Sequence, residues 1–275
     1  MKQHRFKQPD GRHLAWYETG QGRPLVLMHG WCMSAAVFSE VAASLCSDFR
    51  LLIPDLPGHG ESSPALENDL AGIAADLVRW VSAVEQAPAA LVGWSLGGML
   101  ALEMASQNLL PVERLVLVAT TPRFTLNDDW KFGLPPAQVR ALARNLERRF
   151  EATLGDFFSL AFAGEDIAKE RLRTIRSFAV RQSPLPDRGV ALGLLDVLAA
   201  QDQREALAEI HQPALVLHGE LDQIAPVAAG RCLAEMLPHG SFVEFSGVGH
   251  GPFLSRPQAT VAKIREFFDG TDHSY

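Results

Sequence analysis

The stretch Leu91–Gly98, Leu-Val-Gly-Trp-Ser-Leu-Gly-Gly, constrains the fold of this chain more than any other. The apolar run Ala89–Val92 has the length and composition of a buried strand, and Met99-Leu100-Ala101-Leu102-Glu103-Met104 continues as a helix. Between them, Gly93-Trp94-Ser95-Leu96-Gly97 must reverse the chain within a few residues. G-x-S-x-G between a strand and a helix is the pattern of a tight turn that presents a serine nucleophile. A Cβ two residues before or after the serine would collide with neighbouring backbone, which accounts for the glycines. The hydroxyl then stands clear of the sheet, at the positive end of the helix. The plainer alternative is a glycine-rich turn that packs closely and carries no chemistry.

Around this turn the chain alternates. Met1–Glu18 reads as a hairpin turning at Pro9-Asp10-Gly11, followed by a strand at Pro24–Met28 and a helix over Ala35–Leu45. Arg50–Pro54 reads as the next strand. Leu70, Ile73, Leu77, Trp80, Val81 and Val84 then mark a helix over Asp69–Glu85. Arg114–Val118 is a further strand after the elbow. Strands alternating with helices imply an α/β fold with a mostly parallel, doubly wound sheet. From Pro122 to Ala200 the rhythm breaks into helical patterns at Ala137–Phe150, Thr153–Phe162, Ile167–Val180 and Val190–Ala199. Alternation resumes with Ala214–His218, Pro226–Leu237, Ser241–Phe245 and Arg256–Phe268, and the tail Thr271–Tyr275 is expected to be loose. The expected organisation is a core of residues 1–121 and 201–275, with a helical lid inserted at 122–200.

Composition excludes several classes. A net charge of −7 argues against general binding to nucleic acid or anionic membranes. No stretch approaches the 18 or so apolar residues of a membrane span. The N-terminal residues lack an apolar signal core, and Cys32, Cys46 and Cys232 are few and unclustered. A cytoplasmic protein acting as a monomer is the expectation, and no pattern calls for a metal or nucleotide cofactor.

A serine hydroxyl needs a base, and the base needs an orienting acid. In elbow architectures the order along the chain is serine, acid, histidine. Asp222 follows the Ala214–His218 strand and His250 follows the last one, both at the strand ends where α/β sheets build their sites. Glu220 competes for the acid, and His218, His29 and His59 compete for the base. His29 and His59 precede any plausible acid and sit beside glycines in turns, so a structural hydrogen-bonding role suits them better. The oxyanion formed during acyl transfer needs two N–H donors. The backbone N–H of Leu96 and that of Trp31, after the Leu25–Met28 strand, are the candidates. The Trp31 indole is expected to line the acyl side of the pocket, unless it serves only as a core aromatic. Trp94 and Phe158 are further candidate pocket residues.

Together the elbow, His29-Gly30-Trp31, Asp55-Leu56-Pro57-Gly58-His59-Gly60-Glu61-Ser62, Asp222 and His250 resemble the α/β-hydrolase superfamily. Members with a carboxylate nucleophile are excluded by Ser95. Gly93–Gly98, His29–Trp31, Ala119-Thr120-Thr121-Pro122-Arg123-Phe124 with Asp129-Trp130, and His250-Gly251-Pro252-Phe253 are similar to the carboxylesterases of biotin synthesis. In the last of these, Gly251 replaces that family's alanine. The resemblance implies a carrier-linked methyl ester as substrate and an acyl carrier protein as partner, bound by lid arginines.

The lid carries an independent sign. Residues 123–188 hold 12 Lys or Arg against 9 Asp or Glu, whereas the rest of the chain holds 13 against 23. Arg148, Arg149, Lys169 and Arg173 are candidate contacts for an acidic partner at the pocket mouth. Ordinary solvated helix faces would read the same way, since Glu147, Glu151, Glu165 and Glu170 are interleaved. Other readings of the same triad are a general short-chain carboxylesterase, an enol-lactonase or a C–C bond hydrolase. A non-catalytic ligand binder on the same fold is the reading from another class.

Overall fold

A computed structural model describes residues 1–180 and 184–270, so the tail Thr271–Tyr275 lies outside the described residues. The N-terminal hairpin is formed by β1 (Lys2–Lys7) and β2 (His13–Thr19). Six further strands follow: β3 (Arg23–Met28), β4 (Phe49–Pro54), β5 (Ala89–Trp94), β6 (Val112–Val118), β7 (Ala214–Gly219) and β8 (Gly240–Phe245). They form one sheet in the order β1-β2-β4-β3-β5-β6-β7-β8. β1 and β2 pair antiparallel, as do β2 and β4, and every pairing from β4 to β8 is parallel. β5 and β7 are buried along their whole length, as expected where helices cover both faces of a parallel sheet.

The helices that cover it are α1 (Ser39–Leu45), α2 (Leu70–Val84), α3 (Leu96–Ser106), and later α7 (Val227–Met236), α8 (Pro252–Ser255) and α9 (Pro257–Asp269). Asp69 caps α2 by accepting the Gly72 N–H at 2.7 Å, and Leu70, Ile73, Leu77, Trp80 and Val81 form its buried face. The segment read as one helix over Ala35–Leu45 is instead a 3-10 turn, Ala35–Phe38, running into α1. The Ser34 hydroxyl caps this turn by accepting from the Ala36 N–H.

Between β6 and β7 lie α4 (Pro136–Leu160), α5 (Lys169–Ala179) and α6 (Arg188–Ala200). The patterns at Ala137–Phe150 and Thr153–Phe162 correspond to the two helical halves of α4, which meet at a kink where Arg149 leaves helical backbone (φ −148°, ψ 62°). The two ends of this helical segment are tied to each other. Arg123 pairs with Asp202 through side chains and through a backbone bridge, and Arg204 bonds Asp202 at 2.7 Å and Asp129 at 3.1 Å. The Trp130 indole N–H donates to Arg123 O at 3.0 Å while Arg204 lies over its ring. The motif residues Arg123, Asp129 and Trp130 thus tie the start of the helical segment to its end.

Candidate active site

The C-terminal ends of the parallel strands meet at Ser95. The residue adopts φ 55° and ψ −113°, a strained backbone for a side chain bearing a Cβ. Its N–H donates to Val118 O at 2.9 Å, anchoring the turn to β6. Any Cβ at Gly97 would lie 2.1 Å from Met28 O, and one at Gly93 would lie 2.3 Å from Gly97 O. The start of α3 therefore rests directly on the end of β3, which is possible only without side chains there. Ser95 remains partly exposed amid buried neighbours.

Three loops converge on this serine. After β3, Gly30 and Trp31 line a pocket with Ser95, Trp94, Phe157, Phe158 and His250. The backbone N–H groups of Trp31 and Leu96 have no backbone acceptor among the described residues; Trp31 shares the pocket with Ser95, and Leu96 follows it along the chain. The Trp31 indole N–H donates to Ala191 O of α6 at 3.0 Å, and its ring meets Phe157 edge-on at 4.9 Å. Trp94 lines the same pocket, and its N–H donates to His250 O at 2.8 Å. A second apolar cavity adjoins past Met33 and Phe158, running toward Cys32, Leu154 and Leu185.

After β7, Asp222 is fully buried. Its Oδ1 accepts the N–H groups of Ile224 (2.8 Å) and Ala225 (2.9 Å), and its Oδ2 lies 2.7 Å from His250 Nδ1. Burial alone would push the Asp222 carboxyl up, but the imidazoles of His250 and His218 outweigh it and hold the group below the usual carboxylate range. Glu220, the competing acid, points elsewhere, accepting from Ser246 Oγ (2.7 Å) and Gly247 N–H (2.9 Å). His250 follows β8, and the helical segment holds its loop. The His250 N–H donates to Ala161 O at 2.8 Å, and the Gly249 N–H to Glu165 Oε1 at 2.7 Å. A carboxylate on Nδ1 fixes the tautomer and leaves Nε2 free to take a proton.

His29 and His59 act as struts. His29 Nδ1–H donates to Gly30 O (2.9 Å) and its Nε2 accepts the Leu56 N–H (2.9 Å). His59 Nδ1–H donates to Pro57 O (3.1 Å) and its Nε2 accepts the Cys32 N–H (3.1 Å). Each ring ties the Trp31 loop to the loop after β4 and can do so only when neutral. Burial pushes His59 down to about 4, and burial, followed by the neighbouring His59, pushes His29 well below its usual range. The unfolded chain therefore takes up protons below about pH 6.5 that the folded chain refuses. We expect His59 alone to remove roughly 2 kcal/mol of stability between pH 6.5 and 5. Urea unfolding at the two pH values measures this, and a flat profile would contradict it.

The basic residues of the helical segment lie apart from the pocket. Arg148, Arg149, Lys169 and Arg173 are all exposed, and none lines the cavity at Ser95. Arg149 borders a separate groove with Gln138, Asn145 and Thr153, and pairs loosely with Asp156 at 3.5 Å. Phe157, Met33, Ala161 and Ile224 complete the pocket, and sequence reasoning missed all four. Ile224 stands two residues after Asp222 and could have been found from its loop. Phe157 could not, because neighbours on a helix point about 100° apart and periodicity alone does not choose between it and Phe158.

A family model for the alpha/beta hydrolase fold matches residues 23–257. The chain belongs to the α/β-hydrolase family. It is similar to a pimeloyl-[acyl-carrier protein] methyl ester esterase of Chromobacterium violaceum, 39% identical over 91% of this chain and 96% of that protein. A protein of the same name from Nitrosospira multiformis is 36% identical over 90% of this chain and 95% of its own. Among solved structures, an esterase from Exiguobacterium antarcticum superposes with a TM-score of 0.88 at 23% identity, covering 96% of this chain and 98% of that one.

Proposed function

We propose that this protein is a serine carboxylesterase that hydrolyses the methyl ester of a pimeloyl group carried on acyl carrier protein, in biotin synthesis. The observation that carries the chemistry is the pairing of Asp222 with His250 Nδ1 in the pocket that Ser95 and His250 share. In this reading Ser95 Oγ attacks the ester carbonyl while His250 Nε2 takes its proton, and the N–H groups of Trp31 and Leu96 hold the oxyanion. His250 then protonates the departing methanol. Water, deprotonated by His250, attacks the acyl-enzyme and releases the acid and Ser95. Asp222 orients His250 and stabilises its charged form.

The substrate is supported by the names of the two relatives and by the surface of the helical segment, which we read as a lid. Arg140, Arg144 and Arg148 recur every four residues along α4, and Lys169 and Arg173 do so on α5. All five are exposed and have no ion pair or hydrogen bond among the described residues. Unpaired cations in register are what an acidic carrier requires. Arg171, by contrast, is engaged by Glu40 and Leu254 O. The apolar cavity beyond Phe158 suits a hydrocarbon chain. Such a carrier is met in the cytoplasm, and the three free cysteines accord with that location.

The decisive comparison is hydrolysis of pimeloyl-carrier methyl ester against a free short-chain methyl ester, with and without Arg144→Glu and Arg148→Glu together. The double reversal is expected to lower kcat/KM for the carrier-linked ester roughly tenfold and leave the free ester unchanged. Equal rates on both esters, unmoved by the reversal, would make the protein a general esterase, lactonase or C–C hydrolase. Complementation of a biotin auxotroph lacking the esterase draws the same distinction in cells.

A further inference from the structure

His218 lies near the end of β7, fully buried, four residues before Asp222. Its Nε2 lies 2.7 Å from Ala225 O and 3.1 Å from Asp222 Oδ2. Both partners accept, so the ring carries its proton on Nε2. Asp222 Oδ2 therefore faces two imidazole N–H donors, His250 Nδ1 and His218 Nε2, while Oδ1 takes two backbone N–H groups. The opposite side of the ring is different. His218 Nδ1 is buried with no hydrogen-bond partner among the described residues. It lies against α7, where a Cβ at Gly230 would come within 2.1 Å of it. A buried unpaired nitrogen is destabilising, and hydrocarbon of the same volume would fill the space without that penalty. The polar ring is thus explained by what its other nitrogen does.

We propose that His218 is a positioning residue for Asp222, a second donor that fixes the plane of the carboxylate and draws charge from the oxygen serving His250. The proposal rests on the reading of Ser95, His250 and Asp222 as a catalytic triad. With two donors on Oδ2, the carboxylate cannot swing away from His250, and it polarises that imidazole less than an unshared carboxylate would. His218 thereby tunes the base without touching substrate. It lies outside the pocket lined by Ser95 and His250.

The test uses the full chain with His218→Leu, His218→Asn and His218→Gln, reading kcat, KM and the acid limb of kcat/KM against pH on a p-nitrophenyl ester. The other groups near the His250 loop, Glu165 on Gly249 and Glu220 on Ser246 and Gly247, are unchanged in every variant. Leucine removes the donor. Asparagine keeps a polar amide too short to reach Asp222, and serves if the leucine variant does not fold. Both are expected to lower kcat roughly tenfold with KM nearly constant, and to move the midpoint of the acid limb up by about half a pH unit or more. Glutamine, whose amide reaches the position of Nε2, is expected to restore most of kcat and the wild-type limb. Variants that lose thermal stability while keeping the wild-type limb would overturn the proposal and leave His218 a packing residue. Failure of the wild-type protein to label with a fluorophosphonate would instead overturn the triad reading itself.

Discussion

Replacing Ser95 by alanine is expected to reduce kcat on a short p-nitrophenyl ester by roughly 10⁵-fold or more and to abolish labelling by a fluorophosphonate probe. The hydroxyl is the only group lost. The N–H groups of Trp31 and Leu96, the pocket walls and the Asp222–His250 pair all remain, so substrate should still bind. What disappears is the acyl-enzyme, and water would have to attack the ester directly from a site built to hold a serine. Turnover near the wild-type rate would remove Ser95 from the mechanism. The backbone supplies an independent check. At φ 55° and ψ −113° the residue sits in a conformation that L side chains rarely adopt. Ser95→Gly should therefore be equally inactive yet more stable, by about 1 kcal/mol, as the strain is released. A thermal melt reads this directly, and a glycine variant less stable than wild type would argue against stored strain.

The second large effect belongs to Asp222→Asn. The four groups facing the carboxylate are all donors: two backbone N–H groups on Oδ1 and the imidazole nitrogens of His250 and His218 on Oδ2. An amide offers one oxygen and one NH₂, so either orientation sets donor against donor. If the NH₂ faces His250, that ring must move its proton to Nε2, and it then has no lone pair to accept the proton of Ser95. We expect kcat to fall by roughly 10⁴-fold while KM changes little. Leaving buried donors unmatched should also cost about 1–3 kcal/mol of stability. Activity within tenfold of wild type would mean that Asp222 does not orient the base.

Much of the architecture is local and legible in residue order. The strands β3 to β8 fall within a few residues of the runs that announce them. β5 and β7 do so because a strand buried on both faces must be apolar throughout, whereas β8, at the sheet edge, has no buried residue and shows only a short apolar stretch. Helical periodicity places α2, α5, α6, α7 and α9 for a similar reason: each shows one face to a packed layer. An error lies where local signals are ambiguous. Ala35–Leu45 carries a helical pattern, yet its first turn tightens to 3-10 under the Ser34 cap. The patterns before and after Arg149 read as two helices, and non-helical backbone at Arg149 does divide that stretch in two.

The order serine, aspartate, histidine, the glycines around Ser95 and the basic helices between β6 and β7 are properties of the sequence itself, because spacing and steric exclusion act within a few residues. Which of the four candidate histidines meets Asp222 is not such a property. His29 and His59 are taken up by backbone groups of two loops, and His250 and His218 both reach one carboxylate oxygen. Two of the contacts of His250, with Asp222 and with Trp94, join segments 28 and 156 residues apart. Only the parallel pairing of β3, β5, β6, β7 and β8 gathers the ends of these strands within hydrogen-bonding reach of one another. The elbow presents a serine by local chemistry. Its surroundings are set by long-range packing, since a hydrogen bond of 2.7 Å between Asp222 and His250 depends on every layer that holds them.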